Sequence, residues 1–206
     1  PQADRLVMVL TLAPEQTVGW NQASPADYLD WKSQSRSFEE MTAWQWYGWN
    51  ITGNGDPEKL SGARIPSNFF DTVGAMPAMG RPFRPEEEQP GHDQEAILSY
   101  GLWQRRFGSD PNIVGKTMTL DHKTCDIVGV MGKDFAFPVG VELWRPLALT
   151  PEEQTLRSDH YMMPMGRLKP GIPLREAAAE IITIEGRLQK QFPQSETGWS
   201  VKVLPV

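Results

Sequence analysis

Ala96-Ile97-Leu98-Ser99-Tyr100-Gly101-Leu102-Trp103-Gln104-Arg105-Arg106-Phe107-Gly108 reads as a strand running straight into a helix. Ala96 to Ser99 is the strand, Tyr100 to Phe107 the helix, and Gly108 stops it. Just downstream, Lys116 to Asp121 and Thr124 to Met131 read as the two arms of a hairpin. Helices and hairpins mixed in this way predict an α+β (mixed α/β) fold, with mixed or antiparallel sheets and amphipathic helices packed on them.

Working outward toward the C-terminus, Leu143 to Leu149 and Tyr161 to Leu168 predict strands, with an acidic, polar patch at Glu152 to Asp159 between them. Pro170-Gly171 breaks the chain before the longest helix. There Leu174, Ala177, Ala178, Ile181, Ile184, Leu188 and Phe192 recur at three- and four-residue steps, and Pro193 ends it. Trp199 to Leu204 alternates as a last strand.

Toward the N-terminus, Pro77 to Gly91 is an irregular connection, and Ser67 to Val73 predicts a short helix closed by Gly74. The β-prone run from Trp44 to Thr52, the turn Asn54-Gly55-Asp56-Pro57 and a strand over Lys59 to Ile65 make a hairpin. Ser24 caps a helix that opens on Pro25, with Tyr28, Trp31, Ser35 and Phe38 at helical spacing up to about Met41. Arg5 to Leu12 reads as a strand, and the strands at the two chain ends are placed to pair. Residues 1–206 are taken as one domain with two subdomains, 1–75 with 160–206 and an inserted 76–159, meeting near the Pro- and Gly-rich stretch.

A chain of 206 residues buries roughly 70% of its unfolded surface. Hydrophobic residues at 39%, charged residues at 22% and a net charge of -6 describe a globular chain without the cationic surface that nucleic acid demands. The longest apolar stretch, Leu6 to Ala13, is far short of the roughly 20 residues that cross a bilayer. The chain opens on Pro1 without an initiator methionine and reads as a piece excised from something longer. Cys125 excludes an intrachain disulfide and sits in an apolar run that makes it a buried strand residue.

No constellation for catalysis, cofactor or metal emerges. Gly115-Lys116-Thr117 resembles the tail of a phosphate loop, but Asp110 stands where the leading glycine belongs and a strand follows. His92, His122 and His160 are far apart, and Glu86, Glu87, Glu88 and Asp93 lack the alternation of a calcium loop. No Gly-x-Ser-x-Gly elbow occurs. Met162, Met163 and Met165 suit adaptable packing. The unusual feature is the eight tryptophans, of which Trp44, Trp46 and Trp49 crowd together. Ordinary core packing explains such a cluster, and an exposed platform for glycan or peptide is the sharper alternative. In a strand, Trp44 and Trp46 share one face and Trp49 takes the other.

Several segments together resemble the MacB-like periplasmic core domain of ABC transporter permeases of the MacB/FtsX type. They are Ser24-Pro25-Ala26-Asp27-Tyr28-Leu29-Asp30-Trp31, Ser37-Phe38-Glu39, Leu60-Ser61-Gly62-Ala63-Arg64, Ser67-Asn68-Phe69-Phe70 and Met79-Gly80-Arg81-Pro82-Phe83. Leu98 to Gly108 is the strongest, continuing through Asp110-Pro111, Ile113-Val114-Gly115-Lys116 and Leu120-Asp121. Ile127-Val128-Gly129-Val130-Met131, Leu143-Trp144-Arg145-Pro146-Leu147 and Gly166-Arg167-Leu168-Lys169-Pro170-Gly171 extend it over nearly the whole chain. The match is most similar to the duplicated orphan permeases. Gly132-Lys133 replaces a proline-containing turn, and Pro173 stands where a capping Thr or Ser is usual.

The resemblance implies a non-enzymatic domain on the periplasmic face of the bacterial inner membrane, between two transmembrane helices and not itself spanning. It implies a permease that dimerises with a second copy, a separate cytoplasmic ABC ATPase, and a periplasmic adaptor or envelope protein as a further partner. Residues 1–75 with 160–206 would then be membrane-proximal and 76–159 distal. Its work would be to couple ATP-driven motion to export or envelope tasks. The alternative is a periplasmic or secreted glycan- or peptide-binding module using Trp44, Trp46 and Trp49.

Overall fold

The computed structural model describes residues 3–53 and 55–206. In chain order the elements are β1 (Leu6–Leu12), α1 (Pro25–Gln34), β2 (Phe38–Thr52), β3 (Glu58–Ile65), α2 (Phe69–Val73), β4 (Met79–Gly80), β5 (Glu95–Leu98) and α3 (Tyr100–Phe107). There follow β6 (Thr117–Leu120), β7 (Lys123–Val130), β8 (Leu143–Pro146), α4 (Pro151–Thr155), β9 (Met162–Leu168), α5 (Leu174–Gln191), α6 (Pro193–Glu196) and β10 (Ser200–Pro205). The fold is mixed α/β, as the sequence predicts. Asn54 of the predicted turn lies outside the described residues.

Two compact units result, one holding the described residues of Pro1–Ala43 with Thr150–Val206 and the other Trp44–Leu149. These limits differ from 75/76 and 159/160. Hairpin β2–β3 stays with the inserted segment because β3 is bonded in parallel to β8. Residues 150–159 go with the chain ends because α4 packs on α1, where the Ala26 N–H donates to the Leu156 carbonyl at 3.2 Å.

In the first unit β1 is central, antiparallel to β10 on one side and to β9 on the other. Every one of its residues is buried, as a run apolar except for Thr11 requires when both faces are covered. The Thr11 hydroxyl is satisfied by donating to the Gln22 carbonyl at 2.6 Å. Trp31 from α1 and Ala177, Ile181, Ile184 and Leu188 from α5 close over Val7, Val9 and Val203. That is the stripe read from the helical period.

Helix α1 begins where expected: the Ser24 hydroxyl accepts the Asp27 N–H at 3.1 Å and Pro25 fills the first turn. It ends at Gln34, not near Met41. The Glu180 carboxylate accepts the Arg36 and Ser37 N–H groups at 2.8 and 2.9 Å, which takes those donors from a continuing helix, and Phe38 enters β2. The Phe38 ring then covers Gly166, where any Cβ would collide with it. Pro173 precedes α5 without a side-chain cap. Pro193 opens the short α6 as well as ending α5. The acidic patch after residue 150 contains α4, opened by a Thr150–Glu153 capping box.

In the second unit the strands close on themselves. The C-terminal part of β2 pairs with β3, β3 with β8, β8 with β5, β5 with β7, β7 with β6, and β6 returns to β2 at Ile51 and Leu120. Closure removes the exposed edges that an open sheet presents. Leu60, Leu98, Leu102, Leu120, Ile127 and Leu143 fill the interior with Cys125, the buried strand residue predicted. The β6–β7 hairpin turns on Asp121 and His122, both at positive φ, which matches the twist of its strands. Among the described residues no helix is long and apolar enough to cross a membrane.

Candidate functional site

The structure separates the three tryptophans. Trp44 is buried and meets Phe69 and Phe137 edge-on at 6.4 and 5.2 Å, inside an aromatic cluster that continues through Phe70, Phe135 and Trp144. Trp46 lies on the same face, edge-on to Trp44 at 6.4 Å, but runs out beyond that cluster and is 42% exposed. Trp49 is on the opposite face and 3% exposed, stacked over Gly62 where a Cβ has no room. Trp46 alone of the three faces solvent, in a shallow groove with Tyr47, Lys59 and Ser61.

Trp49 forms the floor of a different place. Ladder pairing sets Gln45 against Arg64 and Arg64 against Arg145, so these side chains share the face that Tyr47 and Trp49 occupy on β2. That face is the inside of the strand circuit, and Tyr47 carries it out to the rim with its ring 4.8 Å from Trp49. A pocket of about 160 Å³ opens there, lined by Tyr47, Trp49, Arg64, Asp93, Lys123, Arg145 and Pro146.

Three of those side chains are cationic and one, Asp93, is anionic. Arg64 donates to Gln45 Oε1 at 3.1 Å and to the Ala148 carbonyl at 2.7 Å. Arg145 donates to the Asp93 carbonyl, has the Asp93 carboxylate 3.6 Å away, and faces the Trp49 ring at 5.7 Å. It is 8% exposed, and its Nε is buried without a partner. Lys123, at the start of β7, is exposed. Sequence reasoning passed over Arg64 and Arg145. The signal was the alternation Leu60, Gly62, Arg64, which puts a cation on the inner face of a strand.

The first unit holds a contrasting cluster. Asp27, Glu185 and Glu196 are all buried around Arg157, which reaches Asp27 at 2.6 Å, pairs with Asp30, and lies 3.8 Å from Glu196. The Phe192 ring covers that guanidinium at 3.8 Å. Neither Glu185 oxygen has a well-formed hydrogen bond, although Trp31 and Gln189 lie close enough to soften its charge. Burial, with the Asp27 charge second, pushes the Glu185 carboxyl up to about 7. Burial does the same to Glu196, which also rises to about 7 with help from Asp27 and Glu185. Among the described residues no His, Cys, Asp and Glu group is arranged to hold a metal.

A family model described as the MacB-like periplasmic core domain matches residues 1–184. The chain belongs to that family. Solved structures share the fold of this MacB-like domain. One, described as a domain of a permease protein from Porphyromonas gingivalis, aligns at TM-score 0.76 and 14% identity over 100% of this chain and 91% of its own. The extracellular domain of the noncanonic ABC-type transporter YknZ from Gram-positive bacteria aligns at TM-score 0.70 and 13% identity, over 96% of this chain and 99% of its own. The periplasmic region of MacB from Actinobacillus actinomycetemcomitans aligns at 0.68 and 12%, over 97% and 89%. No curated protein matches this sequence. The MacB-like domain is an extracytoplasmic part of an ABC-type permease.

Proposed function

We propose that this domain transmits motion rather than performing chemistry: it stands on the outer face of the bacterial inner membrane, inserted between two transmembrane helices. Its permease pairs with a second copy and takes energy from a cytoplasmic ABC ATPase, working on export or on an adaptor or envelope protein. The observation that carries this reading is the pairing of the two chain ends. Strand β1 runs antiparallel to β10 with Val7 opposite Pro205, and the Val206 N–H donates to the Leu6 carbonyl at 3.1 Å. A domain entered from one membrane helix and left through the next needs this geometry, and buried β1 gives it a stiff base. The first unit is then the membrane-proximal one.

The test uses the full natural gene product. It is expected to partition into membranes with this domain cleaved by protease added to the outside, and labels at exposed Ile182 in two copies should change separation on ATP binding by the ATPase. A product that stays in the soluble fraction overturns the reading.

A further inference from the structure

We propose that the mouth of the strand circuit in the second unit is a binding site for a small oxyanion, a carboxylate or phosphate group, held by Arg145 and Lys123 over Trp49. The chain as a whole carries a charge of -6, yet this pocket concentrates Arg64, Arg145 and Lys123 against Asp93. A positive pocket in a negative protein focuses anions locally, against the average field. The ends of β-barrels are also among the places where folds hold ligands, because the interior there has run out of side chains to fill it.

The existing partners leave charge to spare. Arg145 is more than nine-tenths buried, but its fork is answered by one carbonyl and by a carboxylate at 3.6 Å, beyond hydrogen-bond reach. Its Nε has no partner. Lys123 forms no ion pair among the described residues. Asp121, which also feels the Arg145 charge, is occupied in accepting from the Asn50 backbone and side-chain amides at 3.0 and 2.8 Å. A buried cation so loosely compensated is stabilised by an incoming anion, and a guanidinium beside an ammonium suits the oxygens of carboxylate or phosphate. The volume of about 160 Å³ admits such a group. Tyr47 and Trp49 leave an aromatic wall for whatever carries it.

Calorimetric titration of the chain with inorganic phosphate, with acetate, and with chloride at matched ionic strength tests this. Saturable binding of phosphate or acetate but not chloride is expected, and the tighter of the two identifies the group. Lys123→Ala, at an exposed position, should weaken it about tenfold, the worth of one charge-assisted contact. Arg145→Gln should abolish it, with near-ultraviolet circular dichroism reporting whether that variant folds. Absence of saturable heat with either anion, or an isotherm unchanged in folded Lys123→Ala, overturns the proposal.

Discussion

Burial lifts the Glu185 carboxyl, and the sign of its effect on stability can be worked out. Its folded carboxyl titrates at about 7, while in the unfolded chain it titrates near the ordinary value of about 4.3. The folded state therefore keeps a proton that the unfolded state has released, so the contribution of this carboxyl to stability is complete at low pH and is lost as pH rises through about 5 to 7. Glu196, also near 7, adds to the same fall, and Arg157 shares its charge among the cluster. Glu185→Gln should therefore raise the melting temperature at pH 8 by about 5 °C, from relief of about 1–3 kcal/mol. At pH 5 it should change little. Thermal scans at the two pH values check this, and equal shifts at both would show that the carboxyl is not the cause.

At the scale of the element, β2 shows how one strand can serve opposite environments. Its tryptophans alternate as the period of two requires, but what covers each face changes along its length. Trp44→Ala leaves a hole between Phe69 and Phe137 and should cost about 3–5 kcal/mol. Trp46→Ala, at 42% exposure, should cost about 0.5 kcal/mol or slightly more. Urea unfolding of the two variants measures the contrast. The aromatic crowding was legible in the sequence, and so was the facing of Trp44 and Trp46 against Trp49. Which of them stayed in water was not, since α2 and the Phe135–Phe137 segment that bury Trp44 arrive from elsewhere in the chain. Helix α1 carries the same lesson at its far end: Ser24 and Pro25 marked its start locally, whereas its stop depends on Glu180, distant in sequence.

For the whole molecule, the pairing of β1 with β10 makes the ends neighbours. A circular permutant that joins them through a short flexible linker and opens the exposed Pro90–Gly91 connection should fold with the near-ultraviolet spectrum of the parent, because the cut touches no ladder. Loss of that spectrum would place the ends apart. The same adjacency is what the proposed insertion between two membrane helices would require.

Local chemistry settled much of this protein. The apolar runs, the helical stripe from Ala177 to Leu188, the Ser24 cap and the glycine stops at Gly74 and Gly108 dictated the elements, and the motif run around Leu98 to Gly108 pointed to the family. Each of those signals is carried by neighbours within one turn or one strand. The closing of six strands into a circuit, the division at residues 43/44 and 149/150, and the meeting of Arg64 with Arg145 and Lys123 belong to the tertiary structure alone. They arise from register between strands far apart in the chain, and register is fixed by which faces find a common core, a quantity no single segment contains.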